Sequence, residues 1–311
     1  MKFRIWSALI AIYIIWGSTY LAIRFAVDTI PPFLMAATRF LVPGTLLYIW
    51  RRMAGDPIPT RREWRAALII GLFLMLGGNG GVTWAEQYVP SGLAALIVGS
   101  APLWMVLLDA IRPGGKHPKS LTVIGVLLGF AGISLLIGPT LMTGNSGKLF
   151  PLGVAALLLA AFLWSIGSLY GRSALLPASP LLSLGMQMLA GGAGLLLTGA
   201  LSGDFYRLNL SLISLRSLLS LSYLIIFGSL IGFGAYTWLL RNAPTPLVAT
   251  YAYINPLIAI LLGYFLAEES LNIRILTAAL IIISSVALIN TAHIKTPKAP
   301  RMVEASVKNG S

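Results

Sequence analysis

The chain has 311 residues, 57% of them hydrophobic and only 10% charged, with no cysteine and a net charge of +13. A soluble domain carries about 25% charged residues, so this sequence lacks the charge to cover a water-facing surface, and the bilayer is its expected solvent. The missing cysteines exclude a disulfide scaffold and a thiolate metal site.

Ten apolar stretches follow one another at 5–27, 31–50, 66–87, 91–111, 119–138, 149–171, 179–201, 217–240, 245–266 and 272–291. Each has roughly the 20 residues that a helix needs to cross about 30 Å of hydrocarbon. Backbone polar groups cannot go unpaired in lipid, so the stretches predict helices rather than open strands. The first, with Lys2 and Arg4 ahead of it, imitates a signal peptide but runs past a typical apolar core with no clear cleavage site; it is read as a retained helix. Connections are short except 51–65, 139–148 and 202–216, and residues 292–311 are read as a disordered basic cytoplasmic tail. With ten spans, Lys and Arg in the termini, loops and span ends divide 16 to 4 in favour of the side that holds both termini. That is the positive-inside pattern of a multi-pass membrane protein with both termini in the cytoplasm. The positive charge thus needs no nucleic-acid partner.

The second half repeats the first. Shifting the chain by 154 residues lays 78–108 over 232–262 with 11 of 31 positions identical, among them the Thr83-Trp84 pair, Pro90 and Pro102. A shift of 148 lays Trp16 over Trp164, Arg24 over Arg172, Pro32 over Pro180 and Gly44 over Gly192. Five spans per half is an odd number, so the second half must enter the membrane from the opposite side. Inverted repeats of this kind organise many secondary transporters. The expected fold is therefore an all-α integral membrane protein: ten transmembrane helices as two inverted five-helix repeats, residues 1–140 and 141–291, around a central cavity.

The segments "IYIIWGSTYLAIR" (12–24), "PPFLMAATRF" (31–40) and "YAYINPLIAILLGYFLAEE" (251–269), with the paired Thr-Trp…Pro segments, resemble EamA-type transporters of the drug/metabolite transporter superfamily. The resemblance covers about residues 5–291 and is strongest to bacterial inner-membrane members. It implies a substrate cavity between the two repeats and export of amino acids, related metabolites or drug-like compounds, amino-acid export being the most frequent theme. Small multidrug-resistance relatives carry a glutamate inside their first helix. Here that helix offers Tyr13, Trp16, Ser18 and Tyr20 instead, which disfavours proton-driven expulsion of cations.

Candidate substrate-binding residues follow from depth and chemistry. Arg39 sits near mid-span, where a charge is costly and faces a cavity or a partner. It either holds a substrate carboxylate or bonds neighbouring helices, and its repeat counterpart is Gln187. Tyr13, Trp16 and Tyr20 share one helix face, suited to stacking an amphipathic substrate or to helix packing. Glu86 reads as a solvated helix end or an outer-gate residue. Pro102 and Pro256 are expected to interrupt the fourth and ninth spans at matching positions, the best sequence pointer to a transport path. Ser100 and Asn255 lie beside those breaks, and Tyr251 is one of two tyrosines of which only one can face the path. In "GGNGGVTW" (77–84), Asn79 is the strongly hydrogen-bonding side chain; Gly78 and Gly80, with Gly232 and Gly234 in the second half, are expected to let helices approach or slide.

No cofactor or metal is expected: His117 and His293 have no ligand spacing, and "GNSGKL" (144–149) lacks two defining positions of a phosphate loop. The partners expected are the bilayer and a zwitterionic or amphipathic small molecule, with catalysis absent. Multidrug efflux and a passive channel are the alternatives.

Overall fold

The computed structural model of the chain describes residues 2–111, 120–143, 150–243, 245–248 and 250–294. The loop 112–119 with His117, the "GNSGKL" segment and most of the basic tail lie outside the described residues. Among those described, every regular element is helical. α1 (Lys2–Val27) and α2 (Pro32–Met53) are long and continuous. The third span joins α3 (Arg61–Gly71), a stretch of wider i→i+5 turns (Leu72–Gly80) and α4 (Gly81–Ala85). The fourth joins α5 (Ser91–Val98) to α6 (Ala101–Ile111); then come α7 (Ser120–Thr143), α8 (Phe150–Gly171) and α9 (Pro180–Leu201). After the short α10 (Asp204–Arg207), the eighth span joins α11 (Leu215–Tyr223), a second stretch of wide turns (Leu224–Gly232) and α12 (Phe233–Asn242). The chain closes with the short α13 (Thr245–Val248), α14 (Tyr251–Ala267) and α15 (Ile273–Ile294).

Among the described residues, eight helices are long and apolar enough to cross a membrane, and Tyr251–Ala267 and Ile273–Ile289 are shorter apolar helices. Among the described residues the apolar stretches read from the sequence fold as helices, several of them started by local chemistry. Thr60 and Glu63 cap α3 reciprocally: the Thr60 amide donates to Glu63 Oε2 at 2.6 Å, and the Glu63 amide to Thr60 Oγ1 at 3.3 Å. Pro32 and Pro180 open α2 and α9, where a missing N–H costs nothing.

Packing pairs equivalent helices of the two halves. α2 lies along α9 and α7 along α15, while α1 packs on the eighth and ninth spans and α8 on the third and fourth. Small residues set these distances. A methyl added at Gly185 of α9 would sit 3.1 Å from the Gly44 carbonyl of α2, and one at Gly44 would sit 3.1 Å from the Gly185 carbonyl. The GxxxG pair Gly125–Gly129 faces α15 in the same way, against Ile289 and Ser285.

One expected feature is corrected. The fourth span does break, at Gly99–Ser100 just ahead of Pro102; the ninth is divided into α13 and α14, but α14 itself runs unbroken through Pro256. Pro256 falls early in α14 and deprives it of a single hydrogen bond, which the rest of the helix tolerates. Its ring occupies the space a side chain at Gly99 would need, 3.2 Å from that position. The two prolines therefore mark a crossing of helices rather than two matching breaks.

Candidate functional site

The shared face of Tyr13, Trp16 and Tyr20 turns into the bundle. Trp16 is buried and donates its indole N–H to the Gly228 carbonyl at 3.2 Å. Its ring meets Phe233, Tyr236 and Tyr251 at centroid distances of 5.0, 5.1 and 5.2 Å, the edge-on and tilted arrangements that aromatic quadrupoles favour. One turn earlier, the Tyr13 hydroxyl hydrogen-bonds Thr250 Oγ1. An aromatic box thus joins α1 to α12 and α14. Gly232 makes room for it, since a methyl there would lie 2.5 Å from Trp16 Nε1. The repeat counterpart is present: a methyl at Gly78 would lie 3.0 Å from the Trp164 ring. Gly80 faces Leu195 of α9, whereas nothing lies within 4 Å of the space above Gly234.

Toward the Val27 end of α1 the interior becomes polar. Arg39 is 3% exposed, its Nε and Nη1 find no acceptor, and its guanidinium lies 5.1 Å from the Phe40 ring centre. Gly228 lets it in, a methyl there lying 3.4 Å from Nη2. Glu86 is 1% exposed, and neither of its carboxylate oxygens has a side-chain hydrogen-bond donor. Thr83, one turn before it, is fully buried with its hydroxyl unpaired. Arg39, Glu86 and the half-buried Tyr20 lie within electrostatic reach of one another. The reading of Glu86 as a solvated helix end is overturned: α4 packs against α1, α2 and α8, and they cover its last turn.

A second polar knot lies alongside. Glu269 Oε1 accepts from the Ser91 amide at 2.7 Å and from its hydroxyl at 2.8 Å, and Oε2 accepts from the Gly92 amide at 3.0 Å. A carboxylate on the connection after α14 thus caps α5, where the helix dipole favours negative charge. Arg24 of α1 lies 3.8 Å from the same carboxylate.

The remaining candidates make local bonds. Asn79 donates to the Leu74 carbonyl at 3.1 Å within its own stretch of wide turns. Gln187 donates to Ser183 Oγ one turn back at 3.0 Å, and Ser100 Oγ donates to the Ile97 carbonyl at 2.5 Å across the break. Ser165 of α8 closes the same break by donating to the Ala101 carbonyl at 2.9 Å. Asn255 is 6% exposed with its Oδ1 unpaired. The structure therefore brings Tyr13, Trp16 and Tyr251 into one group and Tyr20 and Arg39 into another, and leaves Asn79, Ser100 and Gln187 bonded within their own spans. Sequence reasoning missed Thr83, the burial of Glu86 and the Glu269 cap. A signal was present for the first two: Asn79, Thr83 and Glu86 follow i, i+4, i+7, a polar stripe on an apolar helix.

Relatives agree with this architecture. The chain is 37% identical over 305 residues to the uncharacterized inner membrane transporter YedA of Escherichia coli K12, covering 96% of each. It is 27% identical to the uncharacterized transporter YvbV of Bacillus subtilis, covering 89% of this chain and 88% of that one, and 26% identical to a WAT1-related chloroplastic protein of Arabidopsis thaliana, covering 92% and 69%. A solved crystal structure superposes over 95% of this chain and 98% of its own with a TM-score of 0.62 at 19% identity, a likeness of fold. The EamA-like transporter family matches twice, at residues 4–138 and 151–291, once in each half of the duplication read from the sequence. This chain belongs to the EamA-like transporter family.

Proposed function

We propose that the protein is a secondary transporter that exports amino acids or related small metabolites across the inner membrane by alternating access, with both termini in the cytoplasm. The observation that carries the substrate class is Arg39: a buried guanidinium with two unpaired donors is suited to a substrate carboxylate. Alternating access rests on the two halves, 1–140 and 141–291, acting as inverted repeats with a cytoplasmic tail at 292–311. Support for that comes from the family match in each half and from the reciprocal packing of Trp16 on Gly232 and Trp164 on Gly78. With this orientation the aromatic box lies toward the cytoplasm and the polar groups toward the outside. Trp16, Tyr13, Tyr20 and Tyr251 would line the path, with Asn255, Ser100, Asn79 and Gln187 supplying further polar contacts. Pro102, Pro256, Gly78, Gly80 and Gly232 would mark where helices cross and slide, while Gly234 faces open space.

The test is counterflow by purified protein in liposomes across the protein amino acids, with and without a proton gradient. Saturable exchange of at least one amino acid is expected, and transport of none overturns the assignment of substrate. The aromatic box favours a second reading, efflux of amphipathic drug-like compounds; exchange confined to such compounds would select it.

A further inference from the structure

Four charges gather where α1, α2, α4 and α5 meet: Glu86 has Arg24, Arg39 and Glu269 within electrostatic reach. Two of the four are engaged, Glu269 by the α5 amides and Arg24 by Glu269. The other two are not. Arg39 keeps Nε and Nη1 without acceptors, and Glu86 has no side-chain donor and no more than a backbone contact from Arg24, although both side chains are buried. Thr83 adds an unpaired hydroxyl one turn from Glu86 on the same helix face. Taking a charge out of water costs several kcal/mol unless a partner compensates it, so a pair left open in this way suits a molecule that completes both ends. With both carboxylates ionised the group sums to zero charge. A neutral molecule with opposite ends keeps that balance; an anion would leave Glu86 unmatched and a cation would leave Arg39 unmatched.

We propose that Arg39 and Glu86 are the two ends of one zwitterion site, Arg39 receiving the substrate carboxylate and Glu86 its ammonium group, with the Thr83 hydroxyl as a third contact. The inference rests on the amino-acid reading above and sharpens it: recognition requires a free amino group as well as a free carboxylate.

Counterflow with the full chain in liposomes tests it, using the protein amino acid exchanged best, its N-acetyl derivative and its decarboxylated amine. The wild type should exchange the amino acid and discriminate against both derivatives. Glu86→Gln should raise KM for the amino acid about tenfold or more, the scale of a lost charged hydrogen bond, and change KM for the N-acetyl derivative little; Glu86→Asp should recover part of the difference. The amino acid, and neither derivative, should raise the melting temperature of the wild-type protein in detergent, a readout that needs no variant to fold. Equal protection by the N-acetyl derivative, or an unchanged KM in Glu86→Gln, overturns the two-ended site while leaving amino-acid transport standing. Exchange of no amino acid by the wild type removes both.

Discussion

A buried guanidinium with two nitrogens left unpaired is an expensive object, and Arg39 is where cost and use are most open to measurement. On the proposal that it receives the substrate carboxylate, replacing it by Gln removes a charged partner, so KM should rise about tenfold to hundredfold. Lysine should recover only part of this, because an ammonium lacks the planar fork. An unchanged KM with a lower folded yield would mark Arg39 as a structural residue. Asp56 offers a separate measurement on the α2–α3 connection. Hydrogen bonds from Arg51, then from Ser179, hold its carboxyl at about 2, below the usual 3.8. A depressed folded value stabilises above the unfolded value of about 4 and loses that contribution as pH falls through about 2. The melting temperature should therefore drop over that window, and Asp56→Asn should remove that part of the slope. The sequence made Arg39 legible, since a charge at mid-span stands out in any reading of depth. Glu86 was legible only as the end of the Asn79, Thr83, Glu86 stripe, because its position at a helix end implies water unless the helices that cover it are known.

Elements were easier to read than their interruptions. Apolar length alone predicts the helices, because lipid leaves the backbone no other way to pair. Where a helix breaks depends on what supports the freed groups, and this separates Pro102 from Pro256: Ser165 and Ser100 bond carbonyls at the first break, while the second proline is absorbed by an unbroken α14. The glycines divide in a similar way. Gly232→Val places side-chain atoms against the Trp16 indole and should cost about 1–3 kcal/mol through overpacking. Gly234→Ala enters open space, and should leave the protein unchanged or more stable by up to about 1 kcal/mol from helix propensity. Paired thermal melts in detergent check both. A lower melting temperature in Gly234→Ala would contradict the open space above that residue.

At the scale of the whole molecule, the duplication was legible in paired motifs, and the family match falls on both copies. What no alignment of the halves conveys is which helix of one meets which helix of the other. That depends on shape across the interface, where each half sets a tryptophan of its first helix against a glycine of the other's third. Neither half can fill its own notch with its own tooth. Covalent continuity between the halves is then only a leash beside this contact. A chain severed between residues 143 and 150, or expressed as two pieces, should remain one particle in detergent and keep exchanging substrate in liposomes. Pieces that separate on a sizing column would mean that the leash, and not this clasp, holds the protein together.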